Sequence, residues 1–427
     1  MIKLRLTGNK FFSNTVWILF GRVLQMSLQL IVGMITVRYL GPSNYGIIEY
    51  TKSYVAFLAV IAALGLSNIA VKELLEQPDK QGQTLGTMIA FRICCGILST
   101  AIITLLVYFV DNGDTLIMKV AFLQSLSLVF QSFELFNYWY QSKLESKTSI
   151  KIQTIAYIIM ATYKIVILIL QKNVTWFAFT TTLESMAIAL FLFLSYRRKK
   201  GPKLSFSFQR GIHILRQSYQ FVLSGIMVLI YNHMDRIMLK QMLNESVVGQ
   251  YSAAMNISLM WTFILNALTS SAEPVIISAK KKDEALYIKQ LKRVYAAIIW
   301  IGIFVAGGIF LCSEWIIRIM YGNAYLPAVP ILRITVWHAI LAMLGATRGI
   351  WIVCENKAKY VKYILGIGAV LNLVLNYMLI PAWGAAGAAA ATLITQFTTA
   401  VVAPLFFRGT RIHTKYVIEA FLLKGIK

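Results

Sequence analysis

The sequence predicts an all-α polytopic membrane protein of twelve transmembrane helices, in two six-helix lobes related by a pseudo-two-fold axis along the membrane normal. Three observations predict it: an apolar composition that no soluble domain can hide, apolar runs that recur at spanning length, and a motif of the first half that returns in the second. Of the 427 residues, 58% are hydrophobic and 14% charged, and the mean hydropathy is +0.68. Such a chain must present most of its surface to lipid.

Runs bounded by charge or by Gly/Pro clusters place the spans at 15–37, 45–70, 85–110, 116–140, 150–170, 176–196, 219–241, 249–272, 294–313, 328–353, 360–380 and 385–407. Each is near the roughly 20 residues that cross a hydrocarbon layer. Lys3, Arg5 and Lys10 precede the first run as in a signal peptide, but the run continues to Val37 without a small-residue cleavage site. It is expected to stay as a helix. With the amino terminus inside, 29 of the 41 Lys and Arg residues fall in inside segments, and only Arg38, Lys172, Lys240, Arg318 and Arg333 fall outside. That asymmetry predicts both termini in the cytoplasm and, for a bacterial chain, the inner (plasma) membrane. The net charge of +24 is therefore topological, and its spread over short loops argues against nucleic acid as a partner.

The halves divide at the connection 197–217. It opens with RRKKGPK and interleaves Phe206, Phe208, Ile212 and Leu215 with Arg210 and Arg216, a pattern that suits a helix lying on an anionic leaflet. The expected domains are 1–200, an amino-terminal lobe; 201–217, a cytoplasmic interfacial linker; 218–410, a carboxy-terminal lobe; and 411–427, a cytoplasmic tail. RYLGPSNYGIIEY, from Arg38, returns 203 residues later as QMLNESVVGQYSA, from Gln241, with Leu40, Ser43 and Gly46 on Leu243, Ser246 and Gly249. Each copy ends one span and starts the next. Gly41 and Pro42 supply the stop that Asn244 makes in the second copy, and Ser43 and Ser246 are placed to cap the incoming helices. Six spans per repeat keep both copies in the same orientation.

Charges within spans cost several kcal/mol unless they face protein or water, so they are functional candidates. The cations are Arg22, Lys52, Arg92, Lys119, Lys164, Arg236 and Arg348; the acids are Glu49, Glu134, Glu184 and Asp235. Gln25 and Gln29 follow Arg22 at helical spacing, and Arg92 lies as deep from the same end, so these residues are expected to border one inward-open cavity. Snorkelling to the inner headgroups is the plainer alternative. In span seven, YNHMDRIML gathers Asn232, Asp235 and Arg236. Adjacent on a helix, Asp235 and Arg236 point about 100° apart; Asp235 is expected to neutralise a cation of another span or, alternatively, to exchange H+ or Na+. Glu49 and Lys52 are spaced as a structural pair, while Lys164 and Arg348 fit either snorkelling or a cavity. The surplus of cations implies an anionic cargo, and a phosphate or pyrophosphate suits arginine.

Catalytic arrangements are missing. His213, His233, His338 and His413 are far apart in the predicted topology, and neither a GxSxG motif nor a phosphate-binding loop occurs. No enzyme activity and no cofactor are expected. Cys94, Cys95, Cys312 and Cys354 lie in or at the ends of apolar runs and read as packing.

The opening stretch NTVWILFGRVLQMSLQLIVGMITVRYLGPSNYGIIEY resembles polysaccharide flippases of the Wzx type, in the multidrug/oligosaccharidyl-lipid/polysaccharide exporter superfamily. IMYGNAYLPAVPILRI resembles the family's outer segment between spans nine and ten. LNLVLNYMLIPAWGAAGAAAATLITQ resembles its last hairpin, with Asn372 and Asn376 on one face, Pro381 and Gly384 at the turn, and small residues from Gly387 to Ala391 for close packing. The resemblance implies alternating access that moves an undecaprenyl-pyrophosphate-linked oligosaccharide from the inner to the outer leaflet, for O-antigen, capsule or exopolysaccharide synthesis, beside polysaccharide polymerase machinery. A flippase for the peptidoglycan precursor lipid II is the nearest alternative, and a multidrug/cation antiporter the next, although its cargo has the wrong sign of charge.

Overall fold

A computed structural model describes residues 8–425, and every regular element among them is helical. Eight helices among the described residues are long and apolar enough to cross a membrane. Their outward faces are apolar: Leu98 and Phe109 on one, Phe304 and Leu311 on another, are all exposed. The expected spans at 219–241 and 249–272 are also helical, but they are not among those eight.

The chain forms two compact units, one of the chain through Leu40 with Thr51–Ile226, the other of Gly41–Tyr50 with Met227 onward. Helix α1 (Gly8–Ala63) is broken at Gly41, whose φ of 69° and ψ of 172° suit glycine, and Pro42 starts its second arm. The first unit continues through α2 (Ser67–Glu76), α3 (Gln81–Val110), α4 (Thr115–Ser125), α5 (Ser127–Phe130), α6 (Leu135–Ser142), α7 (Ser146–Ile169) and α8 (Val174–Arg198). Asp114 caps α4 by accepting from the amides of Leu116 and Ile117. Leu74, Leu85, Phe136, Trp139 and Leu192 are buried together in the core.

The connection after α8 departs from the expected surface helix. Its chain carries no regular structure from Gly201 to Ser207 and then enters α9 (Phe208–Met242), which runs unbroken through the division at Ile226. A groove on α3 explains the difference. Any Cβ on Gly82 would stand 2.1 Å from the Lys203 carbonyl oxygen, and one on Gly86 2.4 Å from that of Ser205. Ser205 donates its amide to the Gly82 carbonyl and Ser207 to the Thr87 hydroxyl. Arg210 then bonds Thr84 and Gln77 and lies 3.6 Å from Glu73. These backbone bonds hold the chain extended, where periodicity alone favours a helix.

The second unit contains the rest of α9, then α10 (Glu245–Met260), α11 (Thr262–Lys282), α12 (Glu284–Leu311), α13 (Ser313–Met320), α14 (Ala328–Cys354), α15 (Val361–Phe397) and α16 (Arg411–Phe421). Helices α11, α12, α14 and α16 enclose its core around Leu291, Ile298, Val336 and Trp351. The break expected near the end of the chain falls at Gly384 (φ 57°, ψ −135°), and a Cβ on Gly387 would stand 2.1 Å from the Leu379 carbonyl oxygen. Small residues thus let the two arms of α15 fold closely together. Helix α16 is tied to α12 by Lys292, whose ammonium holds the Glu419 carboxyl below its ordinary range.

The repeated motif packs against itself inside this unit. A Cβ on Gly46 would meet the Glu245 carbonyl oxygen at 1.7 Å, and one on Gly249 would meet that of Pro42 at 2.0 Å. Each glycine accepts the other copy's backbone. The capping expectation is corrected in the same place: Asn244, not Ser246, caps α10 by accepting from Val247, while Ser43 donates to the Glu245 carboxylate. Asn244 stands at the repeat position of Gly41 and, with φ −165°, supplies an extended entry that leaves its side chain free to bond inward.

Gly46→Ala and Gly249→Ala are each expected to destabilise the protein by about 1–3 kcal/mol through overpacking against rigid backbone. Thermal unfolding of the purified protein checks this, with Gly345→Ala, which meets nothing within 4 Å, expected to keep the parent melting temperature.

Candidate functional site

Helix α9 carries YNHMDRIML through the second unit, and its pitch aims Asp235 and Arg236 at different neighbours. Both are buried. A carboxylate there needs donors, since an unsatisfied charge in low dielectric is costly. Tyr251 donates to Asp235 Oδ2 at 2.5 Å, Thr392 to the same oxygen at 2.5 Å, and Asn376 Nδ2 to Oδ1 at 2.7 Å. Asn376 also donates to Asn372 Oδ1 at 3.0 Å. The donors come from α10 and from both arms of α15, so this one carboxylate gathers three helical segments. Its hydrogen-bond partners are neutral, in place of the expected cation from another span.

Arg236 faces the other way. Its Nε donates to Ser252 Oγ at 2.9 Å and lies 3.6 Å from Glu49 Oε2, and Nη1 donates to the Asn232 carbonyl at 3.1 Å. Tyr251 and Ser252, consecutive on α10, therefore bind Asp235 and Arg236, consecutive on α9. Nearby, Gln241 donates to Tyr50 Oη and Asn256 to Tyr45 Oη. The start of the second arm of α1 thus joins the cluster through Tyr45, Glu49 and Tyr50.

Oxygen is the dominant ligand type around Asp235. The Asn376 Oδ1 atom is buried without a hydrogen-bond partner, and the carboxylate, the Asn372 amide oxygen and the Thr392 hydroxyl lie in the same bonded set. Hard oxygens of this kind suit a hard cation. With one carboxylate the set matches a single positive charge, and among the described residues no group of three or more His, Cys, Asp or Glu is placed to hold a metal ion.

The remaining sequence candidates fall elsewhere. In the first unit Arg92 is buried beside Glu134 and Tyr138, while Lys164 lies in the field of Glu184 and Lys52. Tyr157 stands within hydrogen-bonding reach of Glu184 and of the exposed Gln29, with Glu134 also in its field. In the second unit Arg348, buried on α14, donates to the Thr399 carbonyl in the stretch after α15. Tyr295 and His413 share a hydrogen bond in its field. Arg22 and Gln25 lie outside the residues whose side chains are described. Asn232, Asp235 and Arg236 are thus brought together, while Arg348 binds the stretch after α15. Sequence reasoning missed Tyr251, Ser252 and Thr392 as partners; a lone Thr392 after four alanines was the available signal.

Comparison with known proteins bears on the family and the fold. The family described as "Polysaccharide biosynthesis protein" matches residues 11–280. A probable low-salt glycan biosynthesis flippase, Agl15 of Haloferax volcanii, is 25% identical over 219 residues, covering 51% of this chain and 44% of that protein. The chain thus aligns with less than half the length of that relative. Among solved structures, the lipid II flippase MurJ in an inward closed conformation is similar with a TM-score of 0.73 at 14% identity, over 96% of this chain and 90% of that one. An inward-facing multidrug resistance MATE family transporter of the MOP superfamily gives 0.69 at 14% identity, over 92% and 96%. At these identities the likeness is one of fold.

Glu49 and Arg236 form a buried pair, and removing one partner leaves the other's charge exposed to low dielectric. Glu49→Ala and Arg236→Ala are each expected to cost about 3–5 kcal/mol, and the double replacement E49L/R236M far less than their sum. Denaturant or thermal unfolding of the parent and the three variants checks these costs.

Proposed function

Since the chain belongs to the polysaccharide biosynthesis protein family, we propose that it flips undecaprenyl-pyrophosphate-linked oligosaccharide repeat units from the inner to the outer leaflet by alternating access. The polymer it feeds is an O-antigen, capsule or exopolysaccharide. It works in the plasma membrane of a bacterium, with twelve crossings, both termini inside, and polymerase machinery as the downstream partner. The likeness to transporters, and to a flippase in particular, supports movement of a cargo over chemical change of it.

The observation that carries the reading is a set of cations inside apolar helices, with Arg92 and Arg348 buried and Lys164 half-buried. Arg92 beside Glu134, Lys164 beside Glu184, and Arg348 give the interior fixed positive charge, and charged groups at membrane depth mark substrate and ion paths. A pyrophosphate offers oxygens that compete with Glu134 and Glu184 for those cations, and a planar guanidinium holds them two at a time. Arg22, with Gln25 and Gln29, extends the same chemistry along the first span. Arg236 we assign to holding α9 against Glu49 and α10, next to the cargo path.

Asp235 we assign to ion coupling. Its neutral, oxygen-rich partners fit Na+, held by Asp235, Asn372, Asn376 and Thr392, and equally allow the carboxylate to take a proton. Loading the site changes the charge at the point where α9, α10 and both arms of α15 meet. In this way an ion gradient biases the conformations that face each leaflet. The fold likeness to a lipid II flippase favours one second reading, in which the cargo is the peptidoglycan precursor.

Depletion in the native host, followed by mass spectrometry of the lipid extract, separates these. A lipid-linked polysaccharide repeat unit is expected to accumulate on the inner leaflet, whereas accumulation of lipid II would establish the second reading. Arg92→Ala should lower export by at least about tenfold, the worth of one hydrogen bond to a charged group, with normal amounts of protein in the membrane. Asp235→Asn should instead abolish the response of transport to an imposed Na+ or proton gradient. A variant that still follows the gradient would remove Asp235 from coupling.

A further inference from the structure

The first unit carries a second polar site, away from the charged interior. Between the first turns of α7 and the last turns of α8 lies a cavity of about 510 Å3, within the roughly 300–1,000 Å3 usual for small-ligand sites. Its rim carries the exposed Lys151 and Arg198 beside the half-buried Lys147, and Ile152, Phe191 and Leu194 give it apolar lining. Lys147 and Lys151 are one helical turn apart and so share a face of α7. Thr148 and Ser195 also line it, and their hydroxyls are bonded to Lys199 and Tyr140. Its lining residues include no carboxylate.

We propose that this cavity binds the phosphate headgroup of an anionic phospholipid of the inner leaflet. The cavity opens where the basic residues of the first unit gather, at 143–151 and 197–200, which is the cytoplasmic side by the distribution of Lys and Arg. From that mouth toward the opposite end of the helices, Ile155 and Ile159 of α7 and Leu190 and Leu194 of α8 present exposed apolar side chains. A molecule that satisfies both halves has a phosphate at one end and acyl chains at the other. Basic pockets between helices at this depth take such headgroups. A free phosphate or pyrophosphate shares the headgroup's charge but would leave Ile152, Phe191 and Leu194 without a partner. None of Arg92, Glu134, Lys164 and Glu184 lines the site, so its occupancy does not depend on which cargo the protein moves.

Native mass spectrometry of the full chain, purified in neutral detergent, tests the proposal with tetraoleoyl cardiolipin, phosphatidylglycerol, phosphatidylcholine and inorganic pyrophosphate as probes. One anionic phospholipid per chain is expected to be retained over phosphatidylcholine. Retention should fall roughly a hundredfold in K147Q/K151Q/R198Q, since each basic residue near an anionic surface contributes about fivefold. Lys151 is exposed, so Lys151→Glu alone reverses a rim charge without touching the core and should also weaken retention if the triple variant does not fold. The control K359Q/K362Q/R411Q removes equal charge from the second unit and should retain the lipid. Equal retention by the triple variant or by Lys151→Glu, or equal binding of phosphatidylcholine, would overturn the site. Displacement of the lipid by an equal concentration of pyrophosphate would overturn the lipid as its ligand and assign it to a free anion.

Discussion

Hydrocarbon offers no hydrogen bonds, so a charge placed at membrane depth must be met by protein. The arrangement of the second unit follows from that constraint. Asp235 draws donors from α10 and from both arms of α15, while Arg236, one residue on, draws Glu49, Ser252 and a carbonyl of its own helix. Two neighbouring residues thus fix four segments in register. None of these segments can shift without stranding a charge.

Close backbone contact supplies the second half of the design. Gly46 and Gly249 let the second arm of α1 and the start of α10 approach until a methyl group no longer fits, which brings Glu49 within reach of Arg236. The same means appears at Gly387, where the arms of α15 close and set Thr392 opposite Asn376. It appears again at Gly82 and Gly86, where the connection after α8 lies on α3. Helix α9 starts from that anchored connection and ends in the polar cluster. Like α1, it contributes residues to both units.

Much of this was legible in the sequence because hydropathy and local breaks are local properties. The spans at 85–110, 150–170, 176–196 and 328–353 fall on α3, α7, α8 and α14, and the breaks at Gly41 and Gly384 follow from Gly-Pro and Pro-x-x-Gly. Asn244 as a stop was readable, but its role as the cap was assigned to Ser246, since both side chains can accept from a helix amide. The connection at 201–207 was misread as helical because its amphipathic pattern is local, while the glycine groove that holds it straight is on α3, more than a hundred residues away. Charge partners are the least legible. Glu49 finds Arg236 far along the chain, and Asp235 finds hydroxyl and amide groups that, inside apolar runs, read as packing. The repeat was visible as a pattern, yet only the fold shows that its two copies touch.

Translocation in a purified system addresses the central claim most directly. The protein would be reconstituted into vesicles with a fluorescent undecaprenyl-pyrophosphate oligosaccharide in one leaflet, and a membrane-impermeant quencher would report its appearance in the other. Movement is expected with the native protein, faster when an ion gradient is applied. Vesicles that leave the lipid in place, while the same protein carries a cationic drug across, would contradict the assignment of an anionic, lipid-linked cargo.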